Sequence, residues 1–126
     1  MAENHARPSE HARTGNAWQL IVLVGVVGAV GEAVLASSDP AVVVFAAIYA
    51  VGAALAYKRK LAGVLVVGLM SLVEVVFVPF YPRESTSDWL IQVSFAILGL
   101  IGVVAAVRVL QGRRWRAATT AERESA

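Results

Sequence analysis

The chain has 126 residues, of which 58% are hydrophobic and only 16% charged, where a soluble domain carries roughly a quarter charged residues. The formal net charge of +2 is too small, and its basic residues too close to apolar segments, for nucleic-acid binding. With no cysteine, disulfides, iron–sulfur clusters, thiolate metal sites and thiol catalysis are excluded. The two histidines, His5 and His11, both precede the first apolar segment, so bis-histidine haem ligation between helices is excluded as well, and no cofactor or metal is expected.

In chain order, residues 1–16 mix bases with acids and lack the short apolar core of a signal peptide. They are expected to form a disordered cytoplasmic tail. The first apolar helix is predicted over 18–37, close to the roughly 20 residues that cross a bilayer. The second is predicted over 40–57, with Asp39 as N-cap and Pro40 at the first helical position. Lys58, Arg59 and Lys60 separate it from a third helix over 61–80. The fourth is predicted over 88–110, with Ser87 or Asp88 at its N-cap, followed by a basic tail over 111–126. Such short links make successive helices antiparallel neighbours. The expected fold is an all-α integral membrane protein, an antiparallel four-helix bundle of one domain over 17–110.

Charge placement predicts orientation. Arg7, Arg13, Arg108, Arg113, Arg114, Arg116 and Arg123 lie in or beside the two tails, and Lys58, Arg59 and Lys60 in the middle link. The other two links hold Arg83 alone. The positive-inside rule then places both termini and the middle link in the cytoplasm. Trp18 and Tyr57 fall at the inner interface and Trp89 and Tyr81 at the outer, where amphipathic rings settle. Arg113, Arg114 and Arg116 around Trp115, together with Lys58, Arg59 and Lys60, are expected to meet lipid headgroups, at about 1 kcal/mol per basic residue. Few lysines among many Ala, Val and Arg residues suit a GC-rich bacterial genome and hence a plasma-membrane location.

Apolar helices in lipid associate by close packing, which small residues permit. Gly25, Gly28, Ala29, Glu32 and Ala36 share one face of the first helix. Ala46, Ala50, Ala53 and Ala54 line the second, with Tyr49 beside them. Gln92, Ala96, Gly99, Gly102 and Ala106 line the fourth, and Ser71, Glu74, Val78 and Tyr81 share a side of the third. Gly25, Gly28, Ala50, Gly99 and Gly102 are the expected helix-packing positions.

Three of these faces carry the strongly polar residues of the helices. At 1.5 Å per residue, Glu32 lies about 20 Å along its helix from Trp18, and Glu74 about 20 Å from Leu61. Both helices run the same way, so the two carboxyl groups fall at one depth, near the outer surface. Gln92, one turn into the fourth helix, falls there too, and Tyr81, Asp39 and Asp88 lie at or above this level, which makes a polar cluster open toward the outside. Glu74, Glu32, Gln92, Tyr81 and Ser71 are therefore the candidate ligand- or proton-binding residues. Pro79 lacks the N–H that would bond the Val75 carbonyl. Each feature also has a structural reading: the glutamates can reach the interface, Gln92 can bond neighbouring backbone, and Pro79 can simply end a helix.

The expected function is a proton-coupled transporter or a binder of a small or cationic ligand. Four helices enclose little volume, so a permeation path calls for a homo-oligomer. The alternative is a non-catalytic accessory or regulatory subunit of a larger membrane complex. No nucleophile–base pair, phosphate loop or metal cluster points to an enzyme.

Overall fold

In a computed structural model of the protein, described over residues 10–37, 39–82 and 84–125, four α-helices make up most of the chain. They are α1 (Glu10–Leu35), α2 (Val42–Tyr57), α3 (Leu61–Phe77) and α4 (Thr86–Ser125), with a 3₁₀ turn at Val78–Phe80. No strand occurs among the described residues. Helix α1 packs on α2 and α4, and α3 packs on the same two. Helices α1 and α3 meet only weakly across one diagonal, and α2 and α4 stay apart across the other.

The pairings fix the directions. Gly25 faces Ala53 while Gly28 faces Tyr49, and Gly31 faces Phe95 while Gly102 approaches Val24. Numbers rise on α1 as they fall on α2 and α4, so both pairs are antiparallel. Gly68 against Ala106 and Gly99 against Val75 show the same for α3 and α4. The bundle is up-down-up-down and closes on itself.

Packing is inverted relative to a water-soluble bundle. Small residues fill the seams, while Leu23, Val30, Val34, Val44, Leu69, Ile97, Leu100 and Val104 are exposed. So large an apolar surface is foreign to a soluble monomer. Three helices are long and apolar enough to cross a membrane: Gly15–Leu35, Leu61–Phe80 and the span within Thr86–Ser125. Helix α2, expected as a further span, falls short of that length. It has 16 residues, about 24 Å against a hydrocarbon core of about 30 Å.

Its shortness comes from Asp39 and Pro40. Pro40 and Ala41 form a turn ahead of the helix, not its first residues. The Ala41 N–H donates to Asp39 Oδ1 (3.0 Å) and the Val42 N–H to the Asp39 carbonyl (3.1 Å). Asp39 thus caps as expected, but caps the turn. At α4 the cap is Ser85, ahead of the expected Ser87 or Asp88 by two or three residues. Its Oγ accepts the Asp88 N–H (3.2 Å), while Asp88 Oδ2 accepts the Glu84 N–H (3.3 Å), a variant of the reciprocal capping box.

Both outer helices run past their predicted ends. Residues 10–16 belong to α1 and not to a disordered tail, of which residues 1–9 lie outside the described residues. The basic segment 111–125 continues α4 without a break. After Gly112 this segment contains neither glycine nor proline, and its Ala, Arg and Glu residues favour the helix. Thr119 and Thr120 satisfy their hydroxyls on the carbonyls of Trp115 and Arg116.

The turn between α2 and α3 is compact. The Lys60 N–H donates to the Leu55 carbonyl (2.9 Å) and the Arg59 N–H to that of Ala56 (2.9 Å), a Schellman motif. Arg59 takes the left-handed position, φ 59°, usually given to glycine. Its guanidinium lies 5.5 Å from the centroid of the Trp18 ring, which ties the turn to α1. Four residues later Gly63 passes so close to the backbone of Ala56 and Leu55 that a methyl group has no room.

Candidate functional site

The ends of the bundle differ in charge. One carries the turn of Lys58, Arg59 and Lys60 together with the arginines of α4. The other carries Glu32, Asp39, Glu74, Glu84 and Asp88, while Arg83 lies outside the described residues. A cavity of about 420 Å³ opens at the acidic end, where the last turns of α1 and α3 meet the first turns of α2 and α4.

Four carboxyl groups line it, those of Glu32, Glu74, Glu84 and Asp88, with Tyr81 and Gln92. Leu35, Val42, Ile91 and Phe95 supply apolar wall. No Lys, Arg or His is found among the described residues that line it. Glu32 and Glu74 come from different helices and are half-buried. Their carboxyl groups meet closely enough to interact directly, yet both Glu74 oxygens are buried without a hydrogen bond of regular geometry.

Ser71 and Tyr49 lie one layer deeper. Ser71 is one turn before Glu74, fully buried, and does not line the cavity. Tyr49 is fully buried with its ring against Gly28. Its hydroxyl is within interaction reach of both Glu74 and Ser71, but neither Tyr49 Oη nor Ser71 Oγ has a hydrogen-bond partner. Buried polar atoms are nearly always bonded, so unbonded atoms clustered on one side of a cavity point to chemistry there. Farther from the mouth Ile21, Val24, Val64, Val67 and Val109 are buried to 1% exposure or less. The cavity is therefore blind, closed by a dry apolar layer.

Of the five residues singled out from the sequence, Glu32, Glu74, Gln92 and Tyr81 reach the cavity wall, and Ser71 stands behind it. Gln92 also serves the fold, because its Nε2 donates to the Pro82 carbonyl (3.1 Å) and pins the loop before α4. At Pro79 the chain tightens from α to 3₁₀ geometry. The seam glycines Gly25, Gly28, Gly99 and Gly102 face Ala53, Tyr49, Val75 and Ser71 respectively. Ala50 is exposed on the outer face of α2, and the inward residues are Tyr49, Gly52, Ala53 and Ala56. A phase error of one residue explains this, since alanines occur on every side of α2. Of the residues expected at lipid headgroups, Lys58, Arg59, Lys60, Arg113, Arg114 and Arg116 are all exposed.

Sequence reasoning misses Glu84 and Phe95 as site residues, places Asp88 at the level of the glutamates without naming it a binding residue, and finds Tyr49 only as a neighbour of the alanine face. Tyr49 has a signal: it is the one side chain within the middle turns of α2 that carries a hydroxyl. Compared with family models, characterised proteins and solved structures, the chain matches none.

Two half-buried carboxyl groups in contact disfavour the doubly charged state unless a counter-ion is present. Such a pair can share a proton or hold a cation.

Proposed function

We propose that the protein is a four-span membrane protein of the plasma membrane, with both termini cytoplasmic, whose acidic cavity faces outward. There it binds a small cation in exchange for protons, as a proton-coupled transporter or binder does. The observation that carries the reading is the meeting of Glu32 and Glu74 in a cavity without a described basic side chain. The orientation rests on the basic residues gathered at the opposite end. Helix α2 completes the fourth span with the turn at Pro40 and a modest local thinning of the bilayer, which costs fractions of a kcal/mol per Å.

The apolar layer beneath the cavity makes this an outward-open, inward-closed arrangement. Binding and proton release proceed from one side. Carriage across the membrane needs a second arrangement of the helices, or a second copy of the chain to complete a path.

The test is proton release. The purified protein in lipid, titrated with small organic cations in weak buffer, is expected to release protons in step with binding. Glu74→Gln and Glu32→Gln are each expected to abolish that release. If release is absent in the wild type while fixed partner proteins co-purify, the chain is an accessory subunit of a larger complex and the exchange reading fails.

A further inference from the structure

Glu74 on the cavity wall and the layer behind it have a surplus of hydrogen-bond acceptors. Glu74 Oε1 and Oε2, Tyr49 Oη and Ser71 Oγ are all buried and unbonded. The two hydroxyls can supply one hydrogen each, whereas a single ionised carboxylate offers about four lone-pair sites. With Glu32 alongside, acceptors outnumber donors severalfold. Gln92 Nε2 commits one of its two hydrogens to the Pro82 carbonyl, and the other cannot by itself balance the two carboxyl groups. An occupant that suits the wall must therefore bring N–H or O–H groups as well as positive charge.

Two other cation classes fit less well. A quaternary ammonium brings charge but no hydrogen to donate. A bare divalent metal ion needs six or more oxygen ligands in a tight shell, and among the described residues no group of three or more metal-binding side chains is arranged to hold one. Beyond Glu32 and Glu74 the wall is mixed: Glu84, Asp88, Tyr81 and Gln92 are polar, while Leu35, Val42, Ile91 and Phe95 offer apolar surface. Its volume of about 420 Å³ is within the usual range for small-molecule sites, roughly 300–1,000 Å³.

Resting on the cation-binding reading above, we infer that the occupant is a protonated amine, an ammonium group with free N–H donors attached to a compact apolar body. The ammonium sits between Glu32 and Glu74. Ser71 and Tyr49 pass hydrogen bonds toward Glu74 from behind, and the apolar body lies against Phe95 and Ile91. Tyr49 and Ser71 are then positioning residues: from behind Glu74 they aim its carboxylate at the N–H donors of the occupant.

A matched pair of probes tests this. 2-Phenylethylammonium and its N,N,N-trimethyl counterpart carry the same ring and the same charge, and differ in N–H donors. Binding of each is measured calorimetrically to the full chain in lipid nanodiscs, with protein-free nanodiscs subtracted. The amine is expected to bind at least tenfold more tightly. Glu74→Gln is expected to weaken amine binding at least tenfold. Tyr49→Phe, which keeps the ring against Gly28, is expected to narrow the preference severalfold. Equal binding of both probes, lost in Glu74→Gln, overturns the donor requirement and leaves the cation site standing. Binding of neither probe overturns the cation site itself. A preference unchanged in both variants places the amine elsewhere and overturns the assignment.

Discussion

Glu74 and Tyr49 show how a residue's surroundings decide its meaning. Tyr49 is fully buried, yet its hydroxyl makes no hydrogen bond. Removing that oxygen loses no bond and relieves a buried polar group, a change of about 1 kcal/mol. Tyr49→Phe is therefore expected to leave resistance to denaturant unchanged or raise it by up to about 1 kcal/mol, read from unfolding curves in mixed micelles. A clear loss of stability would show that the hydroxyl bonds a structural partner. The two glutamates are legible in the sequence because a lone acid in an apolar run stands out. Tyr49 is less so, since its ring lets it read as one more large residue of an apolar run. Asp88 reads as a cap at the right level and Glu84 as a loop residue, and only the fold brings Glu84 to the same cavity as Glu32 and Glu74.

At the scale of elements, the turn at Lys58, Arg59 and Lys60 and the glycine after it set how closely α2 and α3 approach. A methyl group at Gly63 would collide with main-chain atoms of Ala56 and Leu55, which cannot move aside as a side chain can. Gly63→Ala is expected to cost about 1–3 kcal/mol in reversible unfolding. Arg59 gives a sharper comparison. Arg59→Gly and Arg59→Ala both lose the contact with Trp18, but only glycine sits easily at φ 59°. The glycine variant is expected to be the more stable of the two by roughly 1–2 kcal/mol; equal stabilities would mean the turn relaxes. Helix positions are readable because each apolar run is bounded by charge or proline. Helix ends are not. The ends of α1 and α4 extend through polar residues that carry no apolar period, and the cap of α4 depends on which of several nearby Ser, Thr and Asp side chains faces back.

Across the whole molecule the dominant feature is polarity from end to end, acids around the cavity and bases around the opposite turn and tails. The absence of cysteine makes its orientation easy to test. Single-cysteine variants at Glu84 and Lys58 are expected to react oppositely with an impermeant thiol reagent applied to intact cells: Glu84→Cys labels, and Lys58→Cys labels only after the cells are opened. The reverse pattern would turn the cavity toward the cytoplasm and end the outward-facing reading. The expected orientation draws on the sequence alone, because it depends only on counting charges by side. The apolar floor of the cavity is invisible there, since it is built from buried valines contributed by three different helices.

Helix α4 has a mechanical corollary. Its 40 residues run unbroken from Asp88 and Gln92 at the cavity to Arg123 near the far tip, a rod about 60 Å long. A tilt of about 10° about its first turn would swing the distal end by about 10 Å. A slight adjustment of the mouth is thereby magnified, lever-like, into a displacement at the opposite end of the molecule.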